Sequence, residues 1–497
     1  MKERENYRNM KRASGILFHI TSLPGRFGVG TLGKAAYDFV DFLKKAGQTY
    51  WQLLPITPTS YGDSPYQSPC TFAGNPYLVD LEQLIAEGLL TEEECDRDWC
   101  DDPLHVHYGK LYENRYAVLR KAFSRFNREE MLPFCEENRD WVYDYALFTS
   151  LKSHFHGKPW YEWEDKAIAN RDPQAMEYYR QMLYSECAFH CFIQYEFDRQ
   201  WKALRTYCKE KGILLIGDVP IYVPHDSADM WMHPDLFSLD EQRNPIEIAG
   251  VPPDAFSSTG QLWGTPVYRW DVHKQDNYAW WVRRIGAMQE RFDLIRIDHF
   301  RGLESYWSVP NGSPDASVGE WVKGPGMDLI RAIKAAYPSI RIIAEDLGYL
   351  TPEVKRLLSD SGFPGMRVLQ FGFEPYGNSR DLPHNYPIHS IAYTGTHDNS
   401  PMMGWVETAP AAEVAFAVDY LGLNEREGMA FGFIRGILNS PAELAVAQLQ
   451  DYLGLGEESR MNRPGTLGWW QYRAKAEDFG DELAARILHY TKLSGRA

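Results

Sequence analysis

Four acids end short aliphatic runs in this sequence: Asp218 in LLIGDVP, Asp298 in LIRIDHFRG, Glu345 in IIAEDLG and Asp398 in IAYTGTHDN. An acid placed after several aliphatic residues is costly to bury without partners. Any one of them, read alone, is a helix cap at a strand end. Four of them, at intervals of 80, 47 and 53 residues, converge on one mouth if the runs are strands of one barrel. Two close carboxylates are what glycosidic bond chemistry requires, a nucleophile or base on one side and a protonated acid on the other. Arg296 precedes Asp298 by two residues, so in a strand both side chains point to one face. A cation there keeps Asp298 ionised and fit for attack. Glu345 follows an apolar run, a setting that raises a carboxyl pKa and suits a general acid. Asp398, beside His397, is placed to hold sugar hydroxyls or to stabilise positive charge at an anomeric carbon.

Other chemistries fit less well. The GxxxxGK[ST] signature of P-loop nucleotide sites is absent, as is the GxSxG nucleophile elbow. The pairs His397–Asp398 and Asp298–His299 are not accompanied by ligands at HExxH-like spacing, so no metal is expected. No cofactor is implied either, because two carboxylates and the sugar suffice.

The elements that must position these acids are eight runs read as buried parallel strands: 15–20, 50–56, 212–221, 292–300, 340–347, 366–371, 389–398 and 443–450. Parallel strands covered on both faces read as continuous apolar runs rather than alternating ones. Helical patterns with defined ends lie between most of them, such as AAYDFVDFLKKAG ending at Gly47 and MDLIRAIKAAYP stopped by Pro338. Alternating strands and helices, eight times, predict a (β/α)8 TIM barrel with large, mainly helical insertions. The expected organisation is a single catalytic barrel over residues 1–497. A helical insertion, 57–211, would separate strands two and three, and an active-site insertion, 222–291, strands three and four.

Composition sets the outer bounds. A net charge of −16 excludes a general nucleic-acid binder. The first residues, MKERENYRNMKR, lack an apolar segment, and no later run approaches the ~18 apolar residues of a membrane span. Seven cysteines without a CxxC pair fit free thiols in a reducing compartment, so a cytoplasmic protein without a membrane partner is expected. Aromatic residues make up 14% of the chain, many of them in Gly/Pro-rich loops. Rings on loops suit ligands with apolar faces and polar rims, as sugars have.

Eight motifs, in order, carry a closer resemblance: SGILFHITSLPGRFGVGTLG, YGDSPYQSPCTFAGNPYL, IGDVPIYV, GVPPDAFSSTGQLWGTPVY, IRIDHFRG, IIAEDLG, TGTHDN and RMNRPGT. From about residue 12 onward the chain closely resembles the amylomaltases, the bacterial and plant 4-α-glucanotransferases (disproportionating enzymes) of the α-amylase clan. That resemblance implies a retaining transglycosylase, with Asp298 as nucleophile, Glu345 as general acid/base and Asp398 stabilising the distorted donor sugar. It further implies that Arg296 and His397 bind and orient that sugar. Tyr66, Asp218, Trp263 and Asn462 would line the donor and acceptor sites, with Ser64 and Asp254 as weaker members. The segment 250–257 resembles a mobile family loop, but Ala255 stands where the family usually has Tyr, Ser258 where it commonly has Glu and Thr265 where it commonly has Asn.

The function expected is therefore a 4-α-glucanotransferase that moves a segment of an α-1,4-glucan to the 4-OH of an acceptor glucan or glucose. Its partners would be α-1,4-glucans and maltooligosaccharides. The alternatives are an α-1,4-glucan hydrolase using the same acids and a glucan-binding protein without catalysis. The intact set of acids argues against the last.

Overall fold

The computed structural model describes residues 12–253, 257–375 and 377–497. Twelve strands are numbered in chain order: β1 Ala13–Leu17, β2 Tyr50–Gln52, β3 Leu214–Val219, β4 Glu247–Val251, β5 Gln261–Pro266, β6 Leu294–Ile297, β7 Ser305–Pro310, β8 Glu320–Lys323, β9 Ile342–Ala344, β10 Gly365–Val368, β11 Ser390–Tyr393 and β12 Leu444–Gln448. Eight of them close a parallel barrel in the order β1-β12-β11-β10-β9-β6-β3-β2. These are the eight runs expected from the sequence, in the expected order. They are shorter than the runs, because the chain leaves the sheet at each C-terminal end to build the mouth.

Register does the positioning. Asp218 lies opposite Arg296 across β3 and β6, and Ile297 opposite Ala344 across β6 and β9. Asp298 N–H then donates to Val219 O (3.0 Å) and Glu345 N–H to Ile297 O (3.1 Å). In-register neighbours on parallel strands share a face, so Asp218, Arg296 and Asp298 point the same way, with Glu345 one strand on. Below them Tyr393 donates to Gln52 Oε1 (2.9 Å), closing the barrel interior with a satisfied pair.

Between β2 and β3 the chain is largely helical, and its longest helix, Tyr184–Lys211, ends at Gly212 in a left-handed conformation (φ 76°). Two buried amides on that helix pin the segment leading away from β2. Gln194 exchanges hydrogen bonds with Gly74 N (2.7 Å) and Gly74 O (3.0 Å), and Gln200 Oε1 accepts from Asp80 N (2.7 Å). Thr71 is tied to Asp229 through its N–H and hydroxyl (2.8 and 2.7 Å). Loop 57–75, which carries Tyr66, is thus held from behind.

The segment 222–291, expected from sequence as an active-site insertion, contributes β4 and β5 to a second, antiparallel sheet of order β5-β4-β7-β8. Its other two strands arrive only after β6, so the central pair β4–β7 joins two hairpins that β6 separates in the chain. Three of the four β8 residues are exposed, which removes the apolar signal of a strand.

Residues 28–33, GVGTLG, have the GxGxxG spacing of a phosphate-binding turn. Here an acid fills it: a Cβ on Gly33 would stand 2.0 Å from Asp80 Oδ2, and Thr31 Oγ1 donates to that same oxygen (2.6 Å). The glycine allows close approach of the carboxylate, which leaves no place for an anion.

Candidate active site

Arg296 is the centre of the mouth. Its side chain is 4% exposed and the Asp218 side chain 0%. Nη1 donates to both Asp218 oxygens (2.8 and 2.6 Å) and Nη2 to Asp298 Oδ1 (2.9 Å). The guanidinium is a planar fork that suits this division. Asp298 keeps 29% of its side chain exposed, so one carboxylate is sealed and its neighbour is open.

The sequence argument held that Arg296 keeps Asp298 ionised. Burial opposes this and pushes the Asp298 carboxyl up to about 6, with Arg296 pulling it down and Asp218 and Glu345 pushing it further up. Asp298 is still mainly the anion at pH 7, by a narrower margin than the salt bridge alone would give. Burial also raises Asp218, against Arg296 and the Tyr66 hydroxyl.

Glu345 is 8% exposed. Its Oε2 accepts from His299 N–H (2.7 Å) and its Oε1 from Leu347 N–H (2.6 Å). Burial raises its pKa, while Arg296 and these two N–H groups oppose the rise. The direction agrees with the expectation. His299 presents its N–H because its backbone is left-handed, φ 48° and ψ 46°, a conformation that costs of order 1–3 kcal/mol in a non-glycine residue. Its imidazole is lowered to about 4 by burial and is therefore neutral. The Trp263 ring on β5 meets the His299 ring edge-on, 4.8 Å between centroids at 86°.

On the opposite side, Asp398 lies beyond β11 with 42% of its side chain exposed. Asn462 Nδ2 donates to its Oδ1 (2.7 Å), and His397 Nε2 is 3.4 Å from the same oxygen. The His397 ring stacks on Tyr66 (4.9 Å, 15°), and Trp470 adjoins both rings at 5.8 Å. The Tyr66 hydroxyl donates to Asp218 Oδ2 (2.8 Å). Ser64 Oγ accepts from Tyr66 N–H (3.2 Å), so it shapes the loop beneath the ring. Burial lowers the His397 pKa, with Asp398 opposing.

The structure thus brings together Asp218, Arg296, Asp298, Glu345, His397, Asp398, Tyr66, Trp263, Asn462 and Ser64. Asp254 and Ala255 lie outside the described residues. Three residues escaped the sequence reading. Arg460 binds the carbonyls of Asp398 (2.6 Å) and Asn462 (2.7 Å), His299 lends its N–H to Glu345, and Trp470 supports Tyr66 and His397. Arg460 sits in RMNRPGT, so the motif was visible but not its role, which runs through backbone oxygens. Among the described residues no three His, Cys, Asp or Glu side chains group as a metal site, and no helix is long and apolar enough to cross a membrane.

Comparison with known proteins agrees with this geometry. A family model described as 4-alpha-glucanotransferase matches residues 18–478. The 4-alpha-glucanotransferase of Clostridium butyricum is 46% identical, over 96% of this chain and 99% of its own length. That of Thermus thermophilus is 45% identical, over 96% and 98%. The solved amylomaltase of Streptococcus agalactiae, in complex with acarbose, superposes with a TM-score of 0.96 at 42% identity, covering 98% of this chain and all of that one. With the acids placed and the match spanning nearly the whole chain, the protein belongs to the 4-alpha-glucanotransferase family.

Proposed function

We propose that this enzyme is a 4-α-glucanotransferase working by double displacement, with Asp298 as nucleophile and Glu345 as acid/base. The observation that carries the reading is the Arg296 fork. It spends one nitrogen on the sealed Asp218 and the other on the open Asp298, leaving a nucleophilic oxygen free beside a carboxyl raised by burial. In the first step an Asp298 oxygen attacks the anomeric carbon. The glycosidic bond breaks as Glu345 gives its proton to the leaving 4-oxygen, and a glycosyl ester with inverted configuration forms. In the second, the Glu345 carboxylate takes the proton of an acceptor 4-OH, whose oxygen displaces Asp298. A second inversion restores the α configuration and the protonation of Glu345.

Asp398 faces positive charge developing at the anomeric carbon and is fixed for this by Asn462 and His397. Arg296 orients the donor through Asp218 and Asp298, and the Tyr66 and Trp263 rings offer apolar faces to sugar. Segments 57–211 and 222–291 are insertions of one catalytic unit over residues 1–497, and they wall the mouth against water. Transfer beats hydrolysis only if the acceptor is held at high effective concentration and water is excluded. Seven free thiols fit a cytoplasmic location. Acceptors include free glucose as well as maltooligosaccharides.

The deciding experiment is incubation with pure maltotriose. Longer and shorter oligomers should appear together, with glucose released and total reducing ends nearly constant over many rounds. Reducing ends that climb in step with glucose, with no longer products, make the enzyme a hydrolase. No change at all leaves a binding protein.

A further inference from the structure

Sixteen tryptophans are present, and Trp321 is the one found among the exposed large apolar side chains of the described residues, at 43%. It lies on the edge strand β8 and is held firmly. The Arg301 guanidinium sits 4.0 Å from its ring centroid. Trp307, its partner across β7 and β8, meets it edge-on at 5.2 Å and 65°. Lys323 ties the same strand to Glu304. A ring supported on one face and one edge, and otherwise open to water, is a stacking platform rather than a core residue.

Arg301 links this ring to the mouth. It follows Asp298 by three residues, is itself buried, and donates through Nη1 to the carbonyl of Tyr349 (2.8 Å). Tyr349 is 76% exposed and closes the turn whose Leu347 N–H binds Glu345. One guanidinium therefore supports the Trp321 ring and holds the backbone that bears Tyr349, and the turn it braces is that of the proposed acid. An acid serving the glycosidic oxygen stands beside the departing and incoming chains, so rings beyond Glu345 lie on the acceptor side.

We propose that Trp321 and Tyr349 form an outlying stacking site for the distal glucose units of a long α-1,4-glucan acceptor, which rests on the transferase reading above. Pyranose rings present apolar faces with polar rims, which suit isolated aromatic platforms. Glu320 and Lys323, both exposed, flank Trp321 and match those rims. A pair of rings is far too small for a stable protein interface, which needs roughly 1,200 Å² or more of total buried surface. On this proposal a chain of three glucose units is used up at the reacting centre, whereas one of seven leaves distal units for the two rings.

The test compares kcat/KM for maltoheptaose and maltotriose. Wild-type transfer on maltotriose is measured first, since its absence would defeat the functional reading and not this one. Trp321→Ala and Tyr349→Ala should each lower the maltoheptaose-to-maltotriose ratio about five- to tenfold, mainly through KM, which corresponds to about 1 kcal/mol of stacking. Trp321→Phe should retain most of the ratio. Calorimetric affinity for maltoheptaose, measured on an Asp298→Asn background, should drop by the same factor. An unchanged ratio in both alanine variants, or an equal loss on both substrates, overturns the proposal. Should Trp321→Ala fail to fold, the exposed Tyr349 carries the same test alone.

Discussion

The two flanks of the mouth are built on different principles. On one, Asp218, Arg296 and Asp298 are set by strand register and share charge through a single guanidinium, with only Asp298 reaching solvent. On the other, Asp398 sits past the end of β11, nearly half exposed, and is held by Asn462 and Arg460 from a loop more than sixty residues later in the chain. The first flank is electrostatically closed around Arg296, so removing that guanidinium strands buried charge. The second is a hydrogen-bonded clamp in contact with solvent, where a loss is shared with water. Rigidity at Asp298 is thus a property of the barrel, and adaptability at Asp398 a property of the loops.

Replacing Arg296 strikes the sealed flank hardest. Arg296→Met leaves Asp218 and Asp298 as unpaired neighbours, so it should destabilise the fold by about 3–5 kcal/mol and abolish transfer. Chemical denaturation and a maltotriose assay check both, and an unaltered unfolding midpoint would break the comparison. Asp298→Asn separates the two effects. Burial already disfavours the anion there, so stability should hold. Turnover should drop by three orders of magnitude or more, roughly 4 kcal/mol of transition-state stabilisation. A variant free of deamidation that keeps a few per cent of activity would remove Asp298 from the nucleophile's role.

Asn462→Ala, on the open flank, deletes one hydrogen bond to a carboxylate, worth about 1.5–3 kcal/mol when charged. It should lower kcat/KM about tenfold to a hundredfold with little change in the melting temperature. A loss as large as that of Asp298→Asn would mean that the flanks are equally rigid.

The smallest effect is in pH dependence. In the proposed mechanism Asp298 attacks as the anion, and burial pushes its carboxyl up to about 6, so kcat/KM should rise with pH through about 6. In the same mechanism the alkaline limb belongs to Glu345, whose pKa burial raises, as it loses the proton it donates. Asp218→Asn removes a like charge and leaves Arg296 to Asp298 alone, so the acidic limb should move to lower pH. A shift upward, or none, would show that the two acids do not share the guanidinium's charge as the geometry indicates.

The same contrast explains what the sequence made legible. Asp218, Asp298 and Glu345 were found because they end aliphatic runs, and strand period alone put Arg296 on the face of Asp298. The barrel followed from eight such runs. Asn462 and Tyr66 came from resemblance, since nothing local in RMNRPGT or YGDSPY announces a long-range partner. His299 and Arg460 were missed because they act through an N–H in a left-handed turn and through bonds to carbonyls, and side-chain type does not reveal backbone direction. The antiparallel sheet was missed for a related reason. Its strands are interleaved with β6 in the chain, and its edge strand β8 is mostly exposed.

The pairing of β1 with β12 sets Ala13 against Leu444, and Arg496 bridges that seam by donating to the carbonyls of Ala13 and Glu443 (2.9 and 3.1 Å). During synthesis the first strand therefore leaves the ribosome long before its neighbour exists. Until β12 emerges, the growing sheet has two free edges able to pair with another chain. Because the closing contacts are among the most distant in sequence, they are formed against the largest loop entropy, which makes the final ring closure a slow step. The strand that leads into Asp298 and its partners are already made by then, so a nascent chain can carry every acid of the mouth and still lack the ring that aligns them.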